Sequence, residues 1–181
     1  LFLGGDHAIT YPLVKGLHKT YPTLNILHFD AHPDLYDMIH GDSFSHGCPM
    51  ARIMEEKLAV RLVSVGIRTM TPHQRSQAEK YGVEIIDMID FEPGSPLNFD
   101  GPLYVSLDLD VLDPAFVPGV SHHEPGGMST RELLKTIQNI QGTIIGVVGT
   151  LVGGAAGVGI SWILDTYRLI RIPEDVYQLT Y

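Results

Sequence analysis

Residues 23–34 read Thr-Leu-Asn-Ile-Leu-His-Phe-Asp-Ala-His-Pro-Asp. The apolar Leu24, Ile26, Leu27 and Phe29 predict a strand over Thr23–Asp30, and Pro33, which cannot donate to a ladder, stops it where Asp30, His32 and Asp34 gather. The same arrangement recurs further along, where Leu103 to Leu109 is a strand ending in Asp108-Leu109-Asp110. On the amino side, Leu1 to Leu3 read as a strand running into Gly4-Gly5-Asp6-His7, and Ile9, Leu13 and Leu17 follow at helical spacing. Between these lie a short helix over Met50 to Met54, a strand over Val60 to Ile67 and a helix from Thr71-Pro72 to Tyr81 capped through Gln74. A strand over Val83 to Ile89 comes next, then a turn-rich stretch from Pro93 to Gly101. Ser129 and Glu132 form a capping box for a helix bearing Leu133, Leu134, Ile137 and Ile140. Strands alternating with helices predict an α/β fold, three-layered, with a mostly parallel sheet and helices on both faces. Ligands in such folds bind beyond the carboxyl ends of the strands, where the acidic residues of this chain lie.

With 181 residues, 44% of them hydrophobic and 18% charged, the chain is expected to bury one core, which excludes a mainly disordered or collagen-like polymer. The 21 acidic residues outnumber 12 basic ones, and no basic stripe offers itself to phosphates, so nucleic acid is excluded as a partner class. The lone Cys48 cannot form an internal disulfide, which fits a reducing compartment and an expected cytoplasmic location. No basic-then-apolar leader opens the chain, and residue 1 already lies in the first expected strand, so the chain reads as a fragment truncated at its N-terminus.

The composition changes near Gly142. No charged residue occurs from Thr136 to Leu164, and as a helix Gly142–Leu164 could cross a bilayer core of about 30 Å. Glycines at 142 and 146, and at 149, 153 and 157, have the four-residue spacing that lets membrane helices approach closely. The same run also permits a buried strand, a glycine-rich turn and another core strand. The expected division is therefore a core over 1–141 and an apolar, glycine-rich tail over 142–181.

His7, Asp30, His32, Asp34, Asp108 and Asp110 each fall at or just past an expected strand end. A single Asp-x-His or Asp-x-Asp is most often a surface cap, but three such clusters at strand ends are explained together by one site. Residues at i and i+2 share a strand face, so Asp30 with His32, and Asp108 with Asp110, can aim into one crevice. Crowded carboxylates would repel and take up protons, whereas two divalent ions offset their charge and are bridged naturally by them. Oxygen-rich donors with a minority of imidazole suit Mn²⁺ better than Zn²⁺ and leave Fe, Co and Ni open. His18, His40 and His73 are expected in solvent and His28 packed on the sheet, while His122 and His123, beside Glu124, either line the cleft or sit in a solvated loop. Nothing around Cys48 marks a lowered thiol pKa.

Gly4-Gly5-Asp6-His7, Asp30-Ala31-His32-Pro33-Asp34 and Ser106 to Pro114 resemble the three metal-binding signatures of the ureohydrolase family, the arginases and agmatinases. Ser45-His46-Gly47, Ala51 to Glu55 and Pro118 to Gly127 are most similar to bacterial agmatinases and the related plant enzymes, and the resemblance covers about residues 1–141. It implies two Mn²⁺ per chain, one held by His7, Asp30, Asp34 and Asp108, the other by His32, Asp30, Asp108 and Asp110, with Asp30 and Asp108 bridging. It further implies that a metal-bridging hydroxide attacks a guanidinium carbon, with Asp30 and Asp110 serving catalysis as ligands. His46 matches the proton-shuttling histidine that protonates the departing amine, so urea and an amine are released, and His46 and Glu124 are the expected substrate contacts. The implied partners are a small cationic guanidino substrate and, as in the family, further copies of the chain in a symmetric oligomer.

Two features depart from the family. Its members are considerably longer, and after Gln141 to Gly146 they continue into an acidic segment whose glutamate grips the guanidinium, where this chain has Val147-Val148-Gly149-Thr150. Loss of that carboxylate would cost several kcal/mol of transition-state positioning. Residues 142–181 instead resemble the last span and following segment of lipoprotein-releasing ABC transporter permeases, in Trp162 to Tyr167 and Ile172 to Tyr177, which places a join of two coding segments near Ile137 to Gly146.

Overall fold

The computed structural model describes residues 1–140. The chain divides into two units, Leu1–Ile140 and Gln141–Tyr181, and the second lies outside the described residues, as do the expected membrane span and the permease-like stretches. Among the described residues no helix is long and apolar enough to cross a membrane.

Four parallel strands form one sheet: β1 (Asn25–Phe29), β2 (Arg61–Ile67), β3 (Glu84–Asp87) and β4 (Leu103–Leu107), in the order β3-β2-β1-β4. Helices α1 (Thr10–His18), α2 (Pro49–Glu55), α3 (Pro72–Tyr81) and α4 (Thr130–Ile140) lie between and after them. Because strand side chains alternate, β1 sends Ile26 to one face and Leu27 and Phe29 to the other. Ile26 packs with Val14, Met50, Ile53, Leu62 and Ala78 of α1, α2, β2 and α3. Leu27 and Phe29 pack with Val63, Val65, Val111, Met128 and Leu133, and Ile137 of α4 rests on that cluster. Two cores flanking one sheet are the three layers expected from the alternation of elements.

The helix starts follow their capping chemistry. Thr71 accepts from the Gln74 backbone and the Gln74 side chain accepts from Thr71, with Pro72 at the first helical position, so α3 begins there. Ser129 and Glu132 make the same reciprocal bonds at the start of α4. β2 ends in an irregular register at Gly66, whose φ of 93° leaves the Asp30 carbonyl 3.3 Å from where a Cβ would stand. That close approach brings the end of β2 against the end of β1.

Several expectations differ. Leu1 to Leu3 form no strand, because none of the backbone bonds among the described residues supplies them with a ladder partner. α1 buries Thr10 and Val14, with Tyr11 and Leu17 alongside, rather than the face through Ile9, which is exposed. β3 gives way after Asp87 to a single 3-10 turn over Met88–Asp90, and β4 ends at Leu107, ahead of another turn over Leu109–Val111. In that second turn the Asp108 carboxylate accepts from the Asp110 backbone, a local bond that competes with the ladder.

Candidate metal centre

Beyond the carboxyl ends of β1, β2 and β4, three short segments deliver the acidic residues. His7 opens a 3-10 turn (His7–Ile9) whose start is capped by Asp6 accepting from the Ala8 backbone. Asp30 follows β1 directly, its backbone donating to Val65, and Asp34 sits at φ 49° in the left-handed region that Asp tolerates better than most residues. Asp110 lies in the turn after β4.

The side chains form two linked sets. The His7 Nδ1–H donates to Asp34 at 2.7 Å and lies 3.2 Å from Asp30 Oδ2, while Nε2 meets the Ser106 hydroxyl at 2.9 Å. On the other side, His32 Nδ1 is 3.1 Å from Asp110 Oδ2 and 3.4 Å from Asp30 Oδ1, and Asp110 also accepts from the Ala31 backbone. Within each of the sets His7, His28, Asp30, Asp34 and Asp30, His32, Asp110, donor atoms lie within 4.8 Å of one another. Asp30 belongs to both sets and turns one oxygen toward each.

Asp30, Asp34 and Asp110 are buried, which sets the electrostatics. Burial pushes the Asp34 and Asp110 carboxyls upward, whereas Asp30, although burial works the same way on it, is held well below the usual range by His28, His32 and His7. Burial works to lower His7, but its bonds to Asp30 and Asp34 prevail and raise it to about 10. His32 is raised to about 10 by its bonds to Asp110 and Asp30. Protons on these two imidazoles thus stand in for the cations that buried carboxylates require. Across the two sets three carboxylates and three imidazoles gather, a mixed oxygen and nitrogen donor set that suits first-row divalent ions, so the residues fit the metals expected from the sequence.

The remaining expected residues lie further out. Asp108 is in neither set: its side chain is 33% exposed, one oxygen accepts from the Asp110 backbone and the other is 3.8 Å from His7. Glu124 approaches His32 Nε2 at 3.6 Å. His46 is exposed and bonds only weakly, Nδ1 to the Ser45 hydroxyl at 3.3 Å, but its ring stacks at 6.3 Å on His122, which in turn meets His32 edge-on at 5.5 Å. His123 bonds instead to the Pro118 carbonyl. His18, expected in solvent, is half-buried against the Leu58 carbonyl, and burial pushes the Cys48 thiol upward.

Two residues of the centre carry no assigned role in the sequence reading, which has His28 only packed on the sheet. His28 is fully buried and its Nε2 lies 2.9 Å from Asp30, a partnership that the i and i+2 alternation along β1 could have signalled. Arg68, just past β2, donates to the carbonyls of Gly66, Asp110, Val111 and Glu124, and no local pattern foretells such a set.

Comparison with known proteins gives the same direction. The Arginase family matches residues 1–150. A mitochondrial arginase of Medicago truncatula is 49% identical over 154 residues, covering 81% of this chain and 46% of the relative. An agmatinase of Halalkalibacterium halodurans is 37% identical over 153 residues, 81% of this chain and 52% of the relative. The solved arginase from Medicago truncatula superposes with a TM-score of 0.73 at 47% identity, covering 77% of this chain and 46% of that one. The chain thus spans about half the length of the curated relatives it matches. With the matched region holding all three acidic segments and most of this sequence, the chain belongs to the arginase family.

Proposed function

We propose that this chain carries the metal centre of a ureohydrolase that cleaves a small cationic guanidino compound into urea and an amine, with two Mn²⁺ per chain. The observation that carries the reading is the placement of Asp30 in both donor sets, one oxygen facing His7 and Asp34, the other facing His32 and Asp110. A carboxylate so placed can serve two neighbouring ions. When bound, such a pair makes a shared water acidic enough to act as a nucleophile near neutral pH and stabilises the charge that develops on attack.

In this reading His7, Asp34 and Asp30 would hold one ion and His32, Asp110 and Asp30 the other, with Asp108, whose second oxygen lies 3.8 Å from His7, available as a further ligand to both. Asp30 and Asp110 bear on catalysis by fixing the ions. Glu124, 3.6 Å from His32, and His46, joined to the same edge through His122, form a rim where the substrate's cationic head would rest. From that rim His46 gives a proton to the leaving amine, the step that lets the tetrahedral carbon collapse. A buried, unpaired Cys48 agrees with a reducing, cytoplasmic setting, and the family resemblance favours a symmetric homo-oligomer. The catalytic core in this proposal is 1–141, with 142–181 a tail of separate character.

Urea release from agmatine and from arginine, measured in Mn²⁺ buffer, tests the reading. Release with either substrate, abolished by Asp110→Ala, is the expected result. Folded, metal-loaded protein that releases no urea from either would overturn the assignment of activity to this chain.

A further inference from the structure

The adjacent strands β2, β1 and β4 carry a row of polar side chains on the face that otherwise holds an apolar core. His28 stands in register with Ser64 of β2 on one side and Ser106 of β4 on the other. His28 and Ser64 are fully buried, and Ser106 nearly so. One rank earlier on this face the sheet presents Ile26 and Leu62 to the helices. Burying imidazole and hydroxyl groups there costs free energy that an aliphatic residue would avoid, unless the groups hold something.

What His28 and Ser64 hold is Asp30, while the Ser106 hydroxyl meets His7 Nε2. The His28 ring sits between the Ser64 hydroxyl, 3.1 Å from Nδ1, and Asp30 Oδ2, 2.9 Å from Nε2. An ionised carboxylate only accepts, so Nε2 carries the proton, and Nδ1 is left to accept from Ser64. The other oxygen, Oδ1, accepts from the His32 backbone at 2.7 Å. Each oxygen of the carboxylate is therefore pinned by its own donor, and the plane of the group is fixed with one oxygen toward each donor set.

We propose that His28 is a positioning residue of the metal centre: through Nε2–H it fixes the rotation of the Asp30 carboxylate, and Ser64 fixes the tautomer of His28. The role rests on the metal-pair reading above and adds to it a residue that touches neither ion. Freed from His28, Asp30 would turn about its last torsion and present both oxygens to one set or the other, and metal affinity would fall at both positions together. Partners of this kind behind a metal-bound carboxylate or imidazole typically contribute about 10- to 100-fold in affinity.

The test uses the full 181-residue chain. Nitrogen-15 spectra of the imidazoles in metal-free protein should show His28 with its proton on Nε2, and a proton on Nδ1 instead would overturn the proposal. Calorimetric Mn²⁺ titrations of the unchanged chain, His28→Leu and His28→Gln follow, with thermal unfolding of each metal-free protein. His28→Leu should weaken both ions by about 10- to 100-fold and also lower the metal-free melting temperature, because buried Asp30 and Ser64 lose a partner, whereas His28→Gln, whose amide can donate at the same place, should recover most of both losses. Unchanged affinity in His28→Leu would overturn the role of His28 while leaving the metal centre standing. Loss of one ion with the other at full strength in both variants would make His28 a ligand and overturn it too. An unchanged chain that takes up no Mn²⁺ would defeat the metal reading itself, and this inference with it.

Discussion

Replacing Arg68 by Met should loosen the centre from behind. The guanidinium of Arg68 donates to the Asp110 carbonyl at 2.6 Å, to Glu124 at 2.9 Å, and to Gly66 and Val111 at 3.1 Å each. It ties the end of β2 to the turn that carries Asp110 and to the loop that carries Glu124. A hydrogen bond from a charged donor is worth about 1.5–3 kcal/mol net, which for the two shorter bonds alone sums to roughly 3–6 kcal/mol. Against this stands the burial of the guanidinium, which pulls its pKa down, and a buried Nε with no partner among the described residues, so the low end, about 3 kcal/mol, is the expected loss. For a chain of 181 residues that loss corresponds to a melting temperature lower by roughly 6–12 °C. Methionine keeps the apolar volume of the stem, so the change isolates the donors. Mn²⁺ affinity should fall by about tenfold, because the Asp110 turn loses its anchor. Arg68→Lys should lie between, since one ammonium cannot reach four carbonyls. Differential scanning calorimetry and Mn²⁺ titration read both effects. An R68M protein melting within about 2 °C of the unchanged chain and binding metal equally well would refute the reasoning.

Metal uptake should release protons. His7 and His32 are raised to about 10 in the metal-free protein and must be neutral to bind an ion, so affinity should climb with pH from about 7 to 10, and calorimetric heats should vary with the ionisation enthalpy of the buffer. For the metal-free fold the sign is opposite: the two raised values contribute stability that is complete below about 6.5 and is lost as pH rises through about 10, so its melting temperature should drop over that window. Buffer-independent heats would contradict the first expectation, and a melting temperature that rises over that window would contradict the second. Gly127→Ala should destabilise by about 1–3 kcal/mol, because a Cβ there would stand 2.6 Å from the Asp113 nitrogen and 2.8 Å from the Val111 carbonyl, backbone atoms that cannot rotate away. Urea unfolding measures it, and a loss below about 0.5 kcal/mol would contradict the packing of that turn on the one after β4.

Much of this was legible in the sequence because it is local. Pro33 and the gathered aspartates mark where β1 stops, and the capping boxes at Thr71 and Ser129 mark where α3 and α4 start, so those elements come out nearly as read. Asp30, His32 and Asp110, expected in one crevice, do meet, although they lie past the ends of β1 and β4 and Asp108 does not share a set with Asp110 as strand alternation implies. The exceptions depend on partners distant in the chain. Leu1 to Leu3 have strand composition but no ladder partner among the described residues. The buried face of α1 is chosen by what α2 and the sheet offer it, which turns Val14 inward instead of Ile9. His28 reads as a core position, and its role comes from Ser64, 36 positions away, and Asp30, which hold its two nitrogens. Arg68 depends on carbonyls up to 56 positions away. Asp108, expected to bridge, keeps one oxygen on the Asp110 backbone, a local bond that its position two residues earlier invites.

The central claim is that one carboxylate serves two ions, and counting bound metal after equilibrium dialysis against Mn²⁺ tests it most directly. The account predicts two ions per unchanged chain, one in Asp110→Asn and fewer than one in the isosteric Asp30→Asn, since Asp30 belongs to both donor sets while Asp110 belongs to one. An unchanged chain without bound ions, or an Asp30→Asn protein that retains both, would contradict it.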